Sequence, residues 1–240
     1  MTAPSLNNLV KMLLYKMLAP VRDRWQPLLI EKILEKNFKK NSPFFFIQVG
    51  AHDGIQYDSL YDFVKGRDAK GVVIEPLPDL YRQLTANYAA FPGVIAVNKA
   101  VHPIEKRVML YRVDPEQSAR LPEWASGISS LFADHYKKSG IPASAVISEA
   151  VVADHLMNIV AEYYGYEQID FLQIDVEGFD YEVLKQIDFR KLTPAIIKFE
   201  YINLAKADAK AAIHLLKKNG YWCFHQGMDI IASRLYKIKL

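Results

Sequence analysis

The sequence predicts an α/β fold, a Rossmann-like sheet that is mostly parallel, with helices on both faces and an antiparallel closing strand. From residue 44 onward, short runs of β-branched and aromatic residues alternate with polar windows of helical periodicity. That alternation is typical of parallel strands joined by helical crossovers. The chain has 240 residues, of which 51% are hydrophobic and 24% charged. These are the proportions of a globular protein with one core.

Each predicted element rests on its local pattern. Buried apolar runs predict parallel strands at 44–49, 71–75, 94–97, 169–174 and 195–200, and a closing pair at 221–224 and 230–235. Helical windows fall at 57–64, 79–88, 178–187 and 208–219. Because each window lies between two strands or before the closing pair, the order is that of repeated strand–helix–strand units.

The predicted domain spans residues 44–240 and follows an N-terminal helical extension at 1–43. An insertion interrupts the domain around 102–152. It carries a predicted strand at 107–113 and then a Pro- and Ser-bearing stretch at 115–142. We interpret it as an insertion or lid because no apolar set of core size accompanies it.

Charge is spread unevenly along the chain. The formal net charge is +3 at pH 7, with 30 basic and 27 acidic residues, which is too small to indicate a nucleic-acid partner. Residues 1–43 hold eight of the basic and three of the acidic side chains. Leucines, a valine and a methionine between Leu6 and Leu18 recur at helical spacing in this arm. The helix would pack on the domain, on a second copy of the chain or on an anionic membrane, and we favour a homodimer over membrane contact.

The single cysteine, Cys223, excludes an internal disulfide, a CxxC redox pair and a cysteine-based zinc site. This usage fits a reducing compartment. The apolar stretch in the arm is too short to span a bilayer, and no signal-peptide cleavage site follows it. We therefore expect a cytoplasmic protein, with membrane association through the arm as the alternative.

A glycine turn follows the first predicted strand. Ligands of open α/β sheets bind beyond the carboxyl ends of the strands. Gly50 and Gly54 would allow a sharp turn and a close approach to a ligand there. His52 and Ile55 stand where the dinucleotide fingerprint requires glycine, and no Gly-Lys-Ser/Thr follows for a phosphate loop. The turn therefore indicates a ligand with less phosphate than a dinucleotide.

An acidic residue, Glu75, ends the second strand. Two carboxylate oxygens at this position can accept both hydroxyls of a ribose. The alternative is an acid placed at a helix N-terminus by the helix dipole, since a helix is predicted to start just beyond. Together with the glycine turn some twenty residues earlier, Glu75 indicates a nucleoside.

Further carboxylates end the fourth and fifth predicted strands. Asp175 and Glu177 follow the fourth apolar run, Glu200 ends the fifth, and His225 follows the next strand. Carboxylates emerging from buried runs are costly unless a cationic group binds beside them. An amino group, a sulfonium or a metal ion would each serve.

These residues carry a resemblance to a known family. The chain resembles the FkbM-type methyltransferases, a branch of the class I S-adenosylmethionine-dependent enzymes, over roughly residues 44–225. The matching stretches, in the family's order, are IQVGAHDG (47–54) with Ser59, GVVIEP (71–76), GISSL (127–131), IDFLQIDVEG (169–178) and IKFE (197–200). Two positions depart from the family pattern: Gln48 stands where Asp is usual, and Gln173 where Lys is common.

The resemblance implies where S-adenosylmethionine would bind. Gly50 and Gly54 would pass close to its methionine part, Glu75 would hold the ribose, and Asp175 would meet the amino group. Pro76 and the segment 98–100 would flank the adenine. The full set of predicted cofactor-binding residues is Gln48, Gly50, His52, Asp53, Gly54, Ser59, Glu75, Pro76, Asn98, Lys99, Ala100, Ser129, Ser130 and Asp175.

The predicted activity is methylation of a hydroxyl on a sugar, a glycan or a small-molecule natural product. Such a hydroxyl ionises only with the help of a base or a metal ion. The candidate catalytic residues are Glu177, Glu200 and His225, although Glu177 could instead cap a helix, Glu200 could pair with Lys198, and His225 could be structural. A divalent metal on Asp175, Glu177 and Glu200 is chemically reasonable, but we favour a metal-free site.

Two other functions remain open at this point. A nicotinamide-dependent oxidoreductase would use a similar sheet, but the glycine fingerprint that it needs is missing. A nucleoside-binding module without turnover, serving in an assembly, would keep the binding residues and lack transfer. The insertion, from which the acceptor pocket would be built, carries no motif that identifies the acceptor.

Overall fold

The computed structural model describes residues 30–58, 60–165 and 168–240. The helix predicted between Leu6 and Leu18, and with it the proposed dimer contact, lies outside the described residues, as does Ser59. These expectations stay predictions.

The described chain alternates strands and helices. In order, the elements are α1 (Ile30–Asn37), β1 (Phe44–Val49), α2 (Leu60–Val64), β2 (Ala69–Ile74), α3 (Pro78–Asn87), β3 (Val94–Val97), β4 (Ala100–Val101), β5 (Arg107–Val113), α4 (Pro115–Ser118), β6 (Ser129–Ser130), β7 (Val146–Asp154), α5 (Leu156–Tyr163), β8 (Phe171–Ile174), α6 (Asp180–Leu184), β9 (Ile196–Glu200), α7 (Lys206–Lys218), β10 (Trp222–Gln226) and β11 (Asp229–Ser233). Short 3-10 turns lie at Glu123–Gly127, His135–Lys137 and Ala143–Ala145.

The main sheet has seven strands in the order β3-β2-β1-β8-β9-β11-β10. Strands β3, β2, β1, β8 and β9 run parallel, and β11 is antiparallel to both of its neighbours. The predicted fold class, a mostly parallel sheet closed by an antiparallel strand, is confirmed. The register sets Val49 of β1 beside Ile74 and Ile174, so the loops after β1, β2 and β8 emerge at one edge.

Alternate residues of the central strands build two cores, one on each face of the main sheet. Ile47 and Val49 belong to one apolar cluster, whereas Phe44 and Phe46 belong to the other. Because helices cover both faces, these strands are apolar at nearly every position. This explains why β1 reads as a continuous apolar run in the sequence.

The insertion forms a second sheet of four strands in the order β4-β7-β5-β6. Strand β5 coincides with the strand predicted at 107–113 and pairs with the long antiparallel strand β7, which we did not predict. Most residues of β7 are polar or exposed to solvent, so its sequence lacks the regular alternation of apolar residues that predicts a strand. Arg112 of β5 forms a two-pronged ion pair with Asp79 of α3, at 2.6 and 2.9 Å, and so ties the insertion to the main sheet.

Within the described ranges, no helix combines the length and the hydrophobicity that are needed to cross a membrane.

Candidate active site

A narrow cavity that is open to solvent lies at the carboxyl edge of the main sheet, beneath the insertion. Half of the residues that line this cavity are predicted cofactor-binding residues: Gly50, Glu75, Pro76, Lys99, Ala100, Ser129 and Asp175. The other lining residues are apolar and include Leu110, Leu131 and Phe179.

Glu75 is buried at one side of this cavity and is held by the backbone. Its two oxygens accept hydrogen bonds from the backbone N–H groups of His52, at 3.0 Å, and Leu77, at 2.9 Å. Burial raises the pKa of the Glu75 carboxyl to about 8. Asn98 donates to the carbonyls of Glu75 and Pro76, both at 2.9 Å, and thereby fixes the turn after β2. Once ionised, the Glu75 carboxylate offers about four acceptor positions, so two remain for a ligand.

The two glycines of the first loop have different roles in the structure. Gly50 has a φ of +80°, and a Cβ there would lie 1.8 Å from the carbonyl oxygen of Asp175. It therefore lets the ends of β1 and β8 touch while it lines the cavity. A Cβ on Gly54 would lie 2.7 Å from Leu84 and from Tyr88, so this glycine makes room for helix α3 and is not among the cavity residues.

His52 and Asp53 lie in the same loop but not on the cavity wall. One oxygen of Asp53 accepts from the backbone N–H groups of Ile55, at 2.9 Å, and Gln56, at 2.7 Å, which closes a tight turn. His52 has a φ of +52°, and its N–H binds Glu75. The backbone of this loop, more than its side chains, shapes the site.

Gln48 lies beneath the cavity, in a polar network that crosses the sheet. Its side chain and that of Gln173, its neighbour on β8, donate to Asp58 at 2.9 and 3.3 Å. Burial raises the pKa of Asp58. Lys198, the next residue in this row of strands, pairs with Asp229 at 3.3 Å. Two amides thus replace charged groups in this network and hold the loop after β1.

A second group of carboxylates lies beyond the opposite wall, after β8 and β9. Glu177 follows β8 with a φ of +53°, and its carbonyl accepts from the hydroxyl of Ser130 at 2.9 Å. Asn203 donates to both Glu177 and Glu200, at 2.7 Å each. His135, from the insertion, lies with Nε2 at 2.9 Å from the same Glu177 oxygen. Three distant segments of chain therefore meet at Glu177.

Burial and repulsion by neighbouring acids raise the pKa values of Asp175, Asp180 and Glu200. Burial, with Asp175, Glu177 and Asp180 nearby, raises the pKa of Glu200 to about 10. Burial, followed by the charge of Glu177, raises the pKa of Asp175 to about 7. Asp180 is buried, its pKa is also raised, and it accepts from the backbone of Gly178 and Glu200. At neutral pH, Glu200 therefore holds a proton, and a cation bound beside Asp175 would relieve the repulsion.

The geometry gives no support to a metal ion on these carboxylates. In the part of the chain that the structure describes, no three His, Cys, Asp or Glu side chains are arranged to hold one. One oxygen of Glu177 and one of Glu200 accept from the same amide group, that of Asn203. We derive no step through a metal.

Two predicted residues lie apart from the carboxylates. His225 is exposed on the edge strand β10, where its ring packs 4.8 Å from that of Tyr201. Lys99 reaches the cavity wall, but its ammonium pairs with Glu162 at 2.9 Å and lies 3.6 Å from Asp154. The roles assigned to them from the sequence stay predictions.

His135 and Asn203 were not among the predicted site residues. His135 lies in the Pro- and Ser-bearing stretch, which has no periodicity to orient it. Asn203 comes three residues after the end of β9, and its position just beyond a strand that ends in Glu200 is the one signal that could have drawn attention to it.

Comparison with known proteins identifies the family. The model of the FkbM methyltransferase domain matches residues 48–223. The methyltransferase sdnD of Sordaria araneosa is 30% identical over 161 residues, which are 60% of this chain and 60% of that protein.

Two solved structures match this chain at low sequence identity. The FkbM methyltransferase of Methylobacillus flagellatus KT superposes with a TM-score of 0.50 at 11% identity, over 85% of this chain and 47% of that one. The fibrillarin of Aeropyrum pernix, solved with S-adenosyl-L-methionine, has a TM-score of 0.41 at 10% identity, over 80% and 66% of the two chains. The family match spans most of the described domain and includes the loops that build the cavity, so the chain belongs to the FkbM methyltransferase family.

Proposed function

We propose that this protein transfers a methyl group from S-adenosylmethionine to a hydroxyl of a sugar, a glycan or a small-molecule natural product. One observation carries the proposal: a single cavity has a carboxylate with free acceptor positions on one wall, Glu75, and an acid with a raised pKa on the other, Asp175. A nucleoside with a cationic amino acid part fits that arrangement of charge and hydrogen bonding.

The residues present fit this cofactor. Glu75 would accept the two ribose hydroxyls with its remaining acceptor positions, and Asp175 would face the ammonium group. Pro76, Ala100 and the apolar wall would flank the adenine. When bound, S-adenosylmethionine supplies a methyl group that passes to a nucleophile while its sulfur keeps the electron pair of the broken bond.

The remaining task of the chain is to orient the acceptor and remove its proton. A sugar or alcohol hydroxyl is too weak an acid to ionise without a base. Glu200 is poorly suited at neutral pH because its pKa is raised to about 10 and it already holds a proton. Glu177 is better placed to receive the proton, because Asn203 and His135 orient its carboxylate.

Binding and transfer can be tested separately. Calorimetry with S-adenosylhomocysteine should show binding to the purified protein, and no detectable binding at high micromolar ligand would contradict the proposal. A screen with radiolabelled methyl donor over sugars, glycolipids and polyketide-like alcohols should then reveal the acceptor.

The two competing functions predict other results. Tight binding of NADH in a fluorescence titration, without competition by S-adenosylhomocysteine, would favour an oxidoreductase. Binding of S-adenosylhomocysteine without transfer to any member of the panel would favour a non-catalytic module.

A further inference from the structure

The segment that follows β11 packs against helix α1, although the two are far apart in the sequence. Asn37, at the end of α1, donates to the carbonyl of Lys239 at 2.8 Å and accepts from its N–H at 2.9 Å. Leu235 and Ile238 pack against the apolar cluster to which α1 also belongs. Residues 30–43 and 234–240 therefore form one surface of the molecule.

This surface, which we call the basic face, carries exposed lysines from both segments: Lys32, Lys36, Lys39 and Lys40 on the side of α1, and Lys237 and Lys239 on the other side. The acidic residues of the two segments are Glu31 and Glu35. Two side chains with apolar surface stand beside the lysines, Tyr236 at 96% exposure and Leu240 at 43%. The basic face thus combines positive charge with exposed apolar groups.

The rest of the chain has the opposite balance of charge. Residues 44–233 hold 19 basic and 24 acidic side chains, whereas residues 234–240 hold three basic and no acidic ones. Residues 1–29, which directly precede α1, add four basic side chains and one acidic. The positive charge of the chain is therefore concentrated where the fold brings the two ends of the sequence together.

The basic face and the cavity lie at opposite edges of the main sheet. Helix α1 leads into β1, so it lies beside the amino ends of the parallel strands. Strand β11 is antiparallel to β9 and ends with Ser233 beside Ile196, the first residue of β9, so residues 234–240 leave the sheet at the same edge. The cavity lies at the carboxyl edge. A partner on the basic face would therefore leave the cavity open.

We propose that the basic face binds a membrane surface that contains anionic phospholipids, with Tyr236 and Leu240 entering the layer between the headgroups and the acyl chains. Clusters of roughly four to eight Lys or Arg side chains at a membrane attract anionic lipids, and aromatic side chains settle at the interface. A bilayer, unlike the backbone of a nucleic acid, offers an apolar layer to these side chains. The acidic body faces away from the negative lipid surface.

A second copy of the chain is a poorer partner for this surface. The sequence of the arm alone favours a homodimer, but a symmetric contact through the basic face would bring two sets of lysines together. Like charges that are held close together repel, and at a surface of low charge density nothing offsets that repulsion. An anionic membrane neutralises the same charges.

Vesicle flotation with the full-length protein tests the proposal. The protein should float with vesicles of phosphatidylcholine and phosphatidylserine but not with vesicles of phosphatidylcholine alone. Binding should be lost at about 1 M salt, where the Debye length falls to about 3 Å. Equal flotation with both kinds of vesicle, or none with either, would overturn the proposal. A DNA duplex at the same concentration of phosphate should not displace the protein, and displacement would assign the face to a nucleic acid instead.

Paired charge reversals locate the binding. Lys237→Glu with Lys239→Glu should weaken binding to the anionic vesicles at least tenfold. The matched control is Lys206→Glu with Lys210→Glu, two exposed lysines of α7, which follows β9 at the edge that holds the cavity. The control should bind as the parent protein does, and both variants should keep its melting temperature. Unchanged binding in the first variant would overturn the role of residues 234–240 and leave the arm as the anchor.

A single substitution tests the apolar part of the contact. Tyr236→Ser should weaken binding at least threefold without changing its dependence on salt, because the lysines remain. Ile104→Ser removes another exposed apolar side chain, at 80% exposure in the insertion, and should have no effect. Equal effects of the two substitutions would overturn the insertion of Tyr236 into the membrane.

Discussion

The two walls of the site are held in different ways. On the side of β1 and β2, the backbone N–H groups of His52 and Leu77 hold Glu75, and their residues lie within 23 positions of it. On the side of β8 and β9, side chains hold Glu177, and one of them, His135, lies 42 positions away. Hydrogen bonds from backbone N–H groups do not depend on which side chains the donor residues carry. The hydrogen bonds to Glu177 come from side chains, so they are lost when those residues are substituted.

The walls also differ in charge. The first holds one buried carboxyl that has two N–H donors, whereas the second brings Asp175, Asp180 and Glu200 close to Glu177. Burial raises the pKa of Glu75, and burial together with repulsion raises those of Asp175, Asp180 and Glu200. Both walls should therefore respond to pH, through Glu75 on the first and through Asp175 on the second.

The largest loss of stability is expected at Gly50, where the end of β1 touches the end of β8. Gly50→Ala would force a Cβ to 1.8 Å from the carbonyl of Asp175 at a φ of +80°. Overpacking and backbone strain together should lower the free energy of unfolding by about 2–5 kcal/mol. Gly66→Ala is the matched control, because its φ is +77° but nothing lies within 4 Å of the added Cβ. Equal losses of stability in thermal or urea unfolding would show that the contact between β1 and β8 does not restrict this position.

Glu75→Gln tests the first wall. The substitution replaces one of the two acceptor oxygens with an NH2 group, which cannot accept from its backbone N–H donor or from a ribose hydroxyl. Binding of S-adenosylhomocysteine should therefore weaken by about 1–3 kcal/mol in calorimetry. Glu105→Gln, at an exposed position of the insertion, serves as the control. Unchanged affinity in the Glu75 variant would exclude Glu75 from the ribose site.

The pH dependence of cofactor affinity tests the second wall. Asp175 has a pKa of about 7 in the free protein, and a bound ammonium group favours its ionised form. Below pH 7 the protein must release a proton from Asp175 on binding, so this group should lower the affinity for S-adenosylhomocysteine by up to about tenfold per pH unit on acidification. Glu75, whose pKa is about 8, should add a further fall that begins below pH 8. Asp175→Asn should remove the part of the profile that lies below pH 7 and leave the part due to Glu75. An affinity that rises on acidification would contradict the assignment.

The last effect concerns the dependence of stability on pH. The pKa of Glu200 is raised from 4.5 to about 10, so between these values the folded protein holds a proton that the unfolded chain releases. The free energy of unfolding therefore decreases as pH rises, by at most about 1.4 kcal/mol per unit for this group. Glu200→Gln mimics the protonated acid and should reduce the decrease seen in urea unfolding between pH 6 and 8. Asp188→Asn, whose parent carboxyl has a pKa of about 2, should leave it unchanged.

The sequence by itself determined the strands of the main sheet and the first wall. Strands β1 and β3 begin and end where the sequence predicts. A strand that is buried on both faces has apolar residues at nearly every position, so its bounds can be predicted from the local sequence. Glu75 and Asp175 were predicted to lie at one site because parallel strands bring their carboxyl ends to one edge of the sheet. Both residues line the cavity.

Only the tertiary structure decided which groups meet across the insertion. His135 reaches Glu177 because β5, β6 and β7 form a second sheet over the site, and no local period records that contact. The two glycines make the same point: their spacing suggested a shared role, but Gly50 meets Asp175 and Gly54 meets helix α3. Local patterns follow from the chain's own periodicity, whereas contacts between distant segments depend on how whole elements pack.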